Sequence, residues 1–347
     1  MQGLALAVLP AFLVGGLLER LGIPLGWLLG AALATGFIAI LDLERFQVSI
    51  PKPVYNLALI VLGCQVGLAV TEEVGGLLLR WAPVMVLVAL IGIGSAAMLA
   101  PFLSRFGRIS AATAFFALLP GGVIEMSSIG AKHGAERETI AALHTLRLGL
   151  VVSLIPLGLL SFWSIETPHA EQMVNFALLP MSIALVVGFI GSFIASRLSL
   201  PAAWLLGAVV LVGLGASTGL VSASLPTALL AIAQVLAGIG LGTKFRRKRL
   251  AILPRALIFG LPSLLFLMSL MVLMAMMVAP MTAQDRPTLI LCFSIGGMAE
   301  MVLTAKALGQ NAALVAGFQV VRGVIVNACS GLIWTRLRIL PLYSDQK

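Results

Sequence analysis

The stretch Pro120-Gly121-Gly122-Val123-Ile124-Glu125-Met126 places a helix-breaking turn and a carboxylate inside a long apolar run. A related stretch, Gly296-Gly297-Met298-Ala299-Glu300-Met301, follows 175 positions later. The same spacing relates two further pairs of residues, Gly134 with Gly309 and Arg147 with Arg322. A single register that aligns so many residues indicates an internal duplication, and the two broken segments are predicted to be its working parts.

The duplication also includes the beginning of each half. At a spacing of 177, Arg20, Pro24 and Trp27-Leu-Leu-Gly30 match Arg197, Pro201 and Trp204-Leu-Leu-Gly207. The two registers differ by two residues, which small insertions between the copies explain. The sequence therefore predicts two membrane repeats, residues 1–165 and 175–335, within one integral membrane domain.

The composition excludes a soluble globular protein. Of the 347 residues, 60% are hydrophobic and only 10% are charged, which is too little polar surface to cover a water-soluble domain. The net charge of +9 is interpreted as topology information in a protein whose environment is the lipid bilayer, so no nucleic-acid partner is predicted. No phosphate-binding loop, nucleophile elbow or dinucleotide motif occurs, so neither an enzyme nor a catalytic residue is predicted.

Twelve apolar segments are predicted, at about 4–18, 22–41, 54–70, 77–100, 111–131 and 140–162, and again at about 175–196, 200–220, 226–243, 254–280, 287–307 and 312–334. The basic cluster Lys244 to Arg249 is expected to be cytoplasmic, and the connection 163–174, which contains no Lys or Arg, is expected to be external. If segments 111–131 and 287–307 each enter and leave the membrane on the same side, sixteen basic residues lie on the cytoplasmic side and four on the external side.

Counting the crossings gives the relation between the repeats. Five spanning helices and one re-entrant or broken Gly-Gly hairpin per repeat make an odd number of crossings, so the two repeats are predicted to be inverted. The fold class is therefore an all-α polytopic membrane protein with inverted repeats, an arrangement typical of secondary transporters. A twelve-span arrangement of parallel repeats, with each Gly-Gly break as a kink, stays open.

The glycine pairs and the glutamates are the first candidate site residues. Gly121-Gly122 and Gly296-Gly297 are expected to free backbone groups for a ligand, although glycine pairs also serve as helix packing contacts. Glu125 and Glu300 follow in the first turn after each break. Each is interpreted as a coupling site for a proton or a cation, as an acceptor that fixes the tip, or as a structural carboxylate paired with an arginine.

Arg147 and Arg322 lie in the middle of the following apolar segments, each with a polar residue three positions earlier, His144 and Gln319. Each arginine is predicted either to hold an anionic solute group or to form a buried ion pair with a glutamate, and both roles stay open. The histidines and cysteines show no metal-ligand spacing, so neither a metal nor another cofactor is predicted.

With Gly-Gly-x-x-Glu-Met, a later glycine and an arginine in both copies, the sequence resembles the bacterial AbrB-type membrane family, which is defined by a duplicated membrane domain. The resemblance covers nearly the whole chain and implies a multi-pass protein of the bacterial inner membrane. Members have been labelled regulators of gene expression and, in some cases, ammonia monooxygenases. The family shares only its name with a small soluble DNA-binding regulator.

The layout also resembles, more distantly, two-hairpin elevator carriers such as the citrate symporters, whose Gly-Gly tips bind substrate. Two departures make the repeats unequal, because Pro120 is matched by Ile295 and His144 by Gln319. Such asymmetry fits a carrier in which one hairpin binds the solute and the other opens and closes access to it.

The leading hypothesis is a secondary transporter or exporter of a small, anionic solute. It is coupled to a proton or sodium gradient and works by alternating access or an elevator-like motion, since the sequence shows no ATP-binding element. The second hypothesis is a membrane-embedded regulator of gene expression that acts through a partner. A third, a monooxygenase, requires a metal site that the sequence does not show. A homo-oligomer stays open.

Overall fold

A computed structural model describes residues 2–21, 25–41, 50–70, 74–163, 177–198, 200, 202–243 and 254–343. Within these ranges the regular elements are helices, which confirms the predicted all-α class for this part of the chain. The basic cluster 244–249 and nearly all of the 163–174 connection, on which the predicted topology depends, lie outside the described residues.

The helices of the first half are α1 Gln2–Arg20, α2 Gly26–Leu41, α3 Lys52–Gly67, α4 Val74–Gly107, α5 Ala111–Leu118, α6 Val123–Lys132 and α7 Arg137–Phe162. Those of the second half are α8 Leu178–Arg197, α9 Ala203–Ser217, α10 Thr227–Gly242, α11 Pro254–Val278, α12 Arg286–Phe293, α13 Met298–Ala307 and α14 Ala312–Leu337. Both Gly-Gly segments are therefore broken, each into a half-helix of eight residues and one of ten.

Five helical stretches in the described part of the chain are long and apolar enough to cross a membrane, namely Gly76–Gly107, Arg137–Phe162, Leu178–Arg197, Arg255–Met281 and Ala312–Leu337. Three other apolar helices are shorter, at Gly26–Ala39, Ala203–Ser217 and Thr227–Gly242. A helix of 16 residues is about 24 Å long, less than the roughly 30 Å of a bilayer core. Among the described residues, five of the ten predicted spans therefore have full membrane length.

The short helices α2 and α9 begin in the same unusual way. Leu25 precedes α2 with a φ of 56°, and Ala202 precedes α9 with a φ of 49°. Residues other than glycine rarely adopt a left-handed conformation, because the Cβ atom crowds the backbone. Since these two residues are 177 positions apart, the sequence duplication extends to the backbone conformation.

The chain folds into two compact units. The first unit contains residues 1–78, 164–247 and 302–316, and the second contains residues 79–163, 248–301 and 317–347. Each unit takes helices from both sequence repeats, so the units do not coincide with the repeats 1–165 and 175–335.

Within the first unit, helices from the two repeats cross each other reciprocally. A Cβ atom on Gly63 of α3 would lie 2.5 Å from the carbonyl oxygen of Leu205 in α9. On Gly238 of α10, a Cβ atom would lie 2.3 Å from the carbonyl oxygen of Leu28 in α2. Gly63 corresponds to Gly238, and Leu28 to Leu205. Each repeat therefore places the glycine of its third helix against the second helix of the other repeat.

These contacts predict that Gly63→Ala and Gly238→Ala destabilise the protein to a similar extent. The added methyl group has no room beside a backbone oxygen, and overpacking of this kind costs about 1–3 kcal/mol. Gly94→Ala is the matched control, because a Cβ atom there meets nothing within 4 Å and alanine favours a helix by about 0.5–1 kcal/mol over glycine. Thermal unfolding in detergent measures all three variants. Equal melting temperatures would contradict the crossing.

Candidate functional site

The first broken segment folds back on itself. The backbone N–H of Glu136, just before α7, donates to Thr113 Oγ1 in the first turn of α5 at 3.0 Å. The rings of Phe116 in α5 and His133, at the end of α6, stack with centroids 5.8 Å apart. In one continuous helix these two residues would be about 25 Å apart. Residues 111–135 therefore form a helical hairpin with its tip at the Gly-Gly pair.

Each broken segment ends at a glycine with a left-handed backbone. Gly134 and Gly309 have φ values of 81° and 64°. The next residue's N–H closes the helix: Ala135 donates to the carbonyl of Gly130 at 3.0 Å, and Gln310 to that of Ala305 at 2.8 Å. This C-terminal capping arrangement requires a residue without a Cβ atom, which explains why this glycine is duplicated.

The two central arginines bind backbone carbonyl groups at the helix breaks. Arg147 donates through Nη1 to the Leu119 oxygen at 2.5 Å and through Nη2 to the Gly121 oxygen at 2.8 Å. Arg322 donates to the Ser294 oxygen and, at 3.1 Å, to the Gly296 oxygen. Leu119 and Ser294 follow directly after the first half-helices, so each guanidinium lies at the negative end of a helix dipole.

The polar residue before each arginine binds a carbonyl of the same half-helix. His144 Nε2 lies 2.9 Å from the Phe116 oxygen, and Gln319 Nε2 donates to the Leu291 oxygen at 3.1 Å. Phe116 and Leu291 are equivalent positions of the two repeats. The histidine and the glutamine differ in sequence but therefore bind carbonyl groups at equivalent positions of the two repeats. Gln319 Oε1 also accepts a bond from Arg322 Nη2 at 2.5 Å.

Each glutamate lies over the second glycine of its own pair. A Cβ atom on Gly122 would be 2.0 Å from Glu125 Oε2, and one on Gly297 would be 2.0 Å from Glu300 Oε2. Gly122 is the N-cap residue of α6, and Glu125 lies in the first turn of that helix. The spacing Gly-x-x-Glu thus lets the carboxylate fold back over the positive end of the second half-helix.

The first glycine of each pair contacts the opposite repeat. A Cβ atom on Gly121 would lie 3.0 Å from Val326 Cγ1 in α14, and one on Gly296 would lie 2.7 Å from Val151 Cγ1 in α7. Val151 and Val326 are equivalent residues, one helical turn after Arg147 and Arg322. Since one turn is about 5.4 Å long, the two tips lie close together beside α7 and α14.

The predicted site residues are therefore brought together within the second unit. Arg147 and Arg322 expose only 5% and 4% of their surface. The hydrogen bonds that the structure gives their guanidinium groups go to backbone carbonyls and to Gln319. Neither of the roles predicted for the arginines, solute anchor or ion pair with a glutamate, includes these carbonyl contacts. No sequence signal identified them, because backbone acceptors leave no trace in side-chain patterns.

One atom of each guanidinium stays available for another partner. Among the described residues, Arg147 Nε and Arg322 Nε are buried and have no hydrogen-bond partner, and the same holds for His144 Nδ1. Each arginine N–H left unbonded away from water costs about 1–3 kcal/mol. The site thus combines two fixed positive charges, two half-helix N termini and unused N–H donors, an arrangement that attracts an anion.

The arginine contacts predict that lysine is not an adequate substitute. A lysine ammonium is a point charge and does not reproduce the fork that bridges two carbonyls, so one carbonyl loses its partner at a cost of about 1–3 kcal/mol. Arg147→Lys and Arg322→Lys should each lower the melting temperature of the purified protein. Arg105→Lys, at the end of α4, is the control. Equal melting temperatures of the three variants would show that the arginines do not stabilise the helix breaks.

The shared contact of His144 and Gln319 predicts that one residue replaces the other. His144→Gln should keep the melting temperature within about 2 °C, whereas His144→Leu leaves the Phe116 carbonyl without this partner, at a cost of about 1–3 kcal/mol. The same comparison applies to Gln319→His and Gln319→Leu. A glutamine variant as unstable as the leucine variant would contradict the equivalence.

Comparison with known proteins places the chain in a family. A family model described as "Transition state regulatory protein AbrB" matches residues 4–338. A Bacillus subtilis (strain 168) protein, described as uncharacterized protein YhjN, is 28% identical over 337 residues, which cover 90% of this chain and 88% of that protein. These matches confirm the resemblance that the duplicated motif indicates.

Proposed function

The chain belongs to the AbrB family, and we propose that it is an ion-coupled secondary transporter or exporter of a small anionic solute in the bacterial inner membrane. The observation that carries the proposal is the meeting of two broken helices. Both tips lie in the second unit, one beside Arg147 and one beside Arg322. Broken helices at matching positions of two repeats are a feature of substrate sites in secondary transporters.

The contacts along the long helices follow the same order in both repeats. α7 meets the tip of the first hairpin at Arg147 and the tip of the second at Val151, four residues later. α14 meets the second tip at Arg322 and the first at Val326. Each of these equivalent helices thus meets the tip of its own repeat first and the tip of the other repeat one turn later, which supports a two-fold relation between the repeats.

The chemistry of the tips favours an anion as the solute. The second half-helices α6 and α13 present their positive ends at the Gly-Gly pairs. The fixed guanidinium charges of Arg147 and Arg322 are buried beside them. Backbone that is irregular at membrane depth is tolerated where protein buries it or where it lines a polar cavity. The hydrogen bonds of the arginines to the freed carbonyls meet the first condition, and the solute site that we propose between the tips meets the second.

The position of both Gly-Gly tips in the second compact unit supports an elevator-like or alternating-access mechanism, in which this unit would carry the solute. A gradient of protons or sodium ions would supply the energy. The proposed activity includes no covalent step and no cofactor.

Transport by the purified protein in proteoliposomes tests the proposal. Uptake or efflux is followed for a panel of small organic and inorganic anions, with an inward or outward proton or sodium gradient. Arg147→Gln and Arg322→Gln should reduce transport at least about tenfold, because a lost charge-assisted hydrogen bond costs about 1.5–3 kcal/mol. His144→Gln should transport like the wild type. Equal rates in all four proteins would contradict the assignment of the site.

The family description favours a second function, a membrane-embedded regulator of gene expression that acts through a partner. The basic cluster 244–249, which lies outside the described residues, is the segment with the charge to contact such a partner. Neutralising this cluster tests the alternative. Loss of a regulatory phenotype with unchanged transport would support it, and an unchanged phenotype would count against it.

A further inference from the structure

The two tips already hold an anion of their own. The carboxyl carbon of Glu125 would lie 2.9 Å from a Cβ atom on Gly122, and that of Glu300 would lie 2.7 Å from one on Gly297. Both side chains occupy the space that a glycine leaves open at the start of a ten-residue half-helix. The same geometry in both repeats indicates that the position of the carboxylate is part of how the tips work.

The place that the carboxylates occupy is suited to a ligand. The first backbone N–H groups of a helix have no partner within the helix, and its N terminus carries a partial positive charge. A buried guanidinium lies beside each one, since Arg147 and Arg322 donate to Gly121 and Gly296, the residues just before Gly122 and Gly297. Within the described residues, the Nε atoms of both arginines have no hydrogen-bond partner.

We propose that Glu125 and Glu300 compete with the transported anion for the half-helix N termini. This inference rests on the proposed transport function. An anionic group of the solute binds a tip only after the glutamate of that tip has taken up a proton and moved away. One proton is thus bound for each anionic group, and the charge at the tip does not change. The solute is cotransported with protons as a consequence.

Charge balance explains why the exchange requires a proton. Among the described residues, the charged and titratable groups that the contacts above place at the tips are Arg147 and His144 on α7, Arg322 on α14 and the two glutamates. Two guanidinium groups and two carboxylates balance each other. A solute anion added to ionised glutamates would bring like charges together away from bulk water, where they repel strongly. Protonation of one glutamate for each bound anionic group restores the balance.

Amide hydrogen exchange of the purified protein tests the competition without knowledge of the solute. In Glu125→Ala and Glu300→Ala, the amides of residues 122–126 and 297–301 should exchange roughly 2- to 5-fold faster, because the helix N terminus loses the carboxylate that interacts favourably with its dipole. Formate should restore protection, because it is a carboxylate small enough for the vacated space. Formamide, which has the same size and no charge, should not.

Two further variants keep the result interpretable. Glu138→Ala, on the exposed surface of α7, should leave exchange at the tips unchanged. If an alanine variant does not fold, Glu125→Gln and Glu300→Gln keep the side-chain volume and remove the charge. They should still exchange faster than the wild type, and formate should slow them. Unchanged exchange in the variants, or equal protection by formate and formamide, would overturn the inference.

The test separates this inference from the transport function. Protection restored by formate in a protein that transports no anion would contradict the proposed function and leave an anion site at the tips. Anion transport could occur while the tip amides exchange at the same rate in the wild type and the variants. This result would contradict the competition but not the transport function. Transport by the wild type that is independent of the proton gradient would also overturn the competition.

Discussion

The hydrogen bonds from two buried arginines to the carbonyls of two helix breaks are the interactions on which the rest of the structure depends. A broken helix exposes carbonyl groups that would otherwise bond within the helix, and inside a membrane no water is available to replace those bonds. Arg147 and Arg322 each bridge two such carbonyls. A planar guanidinium with several N–H donors is suited to this task, and the negative end of the half-helix offsets part of its charge.

The helix breaks also determine which positions at the tips must be glycine. Gly121 and Gly296 leave room for a valine of the opposite repeat, and Gly122 and Gly297 leave room for a glutamate of their own. The two glycines, the glutamate and the methionine of the motif Gly-Gly-x-x-Glu-Met thus each have a neighbour at the tip, since the methionine side chains lie over the first glycines. The same small-residue principle holds in the first unit, where helices cross at glycines.

The sequence predicted the position of both breaks, the residues around them and the all-α class, because the duplication marks them at fixed spacing. The charge count favoured a hairpin at 111–131, and the contact of Glu136 with Thr113 shows that the chain does fold back there. The partners of Arg147 were not predictable, because they are backbone oxygens. The two compact units were not predictable either, since they depend on which helices pack together and not on the order of the repeats.

Our central claim is that two hairpins enter the membrane from opposite faces and meet at one site. The substitutions Arg108→Cys and Arg137→Cys place single cysteines on the two sides of the first hairpin, and Ala283→Cys and Gln310→Cys do the same for the second. In a protein whose own cysteines have been replaced, labelling with a membrane-impermeant thiol reagent reports the face on which each one lies. Our account predicts that the first pair reacts from one face and the second pair from the other. Labelling of the two members of a pair from opposite faces would contradict it.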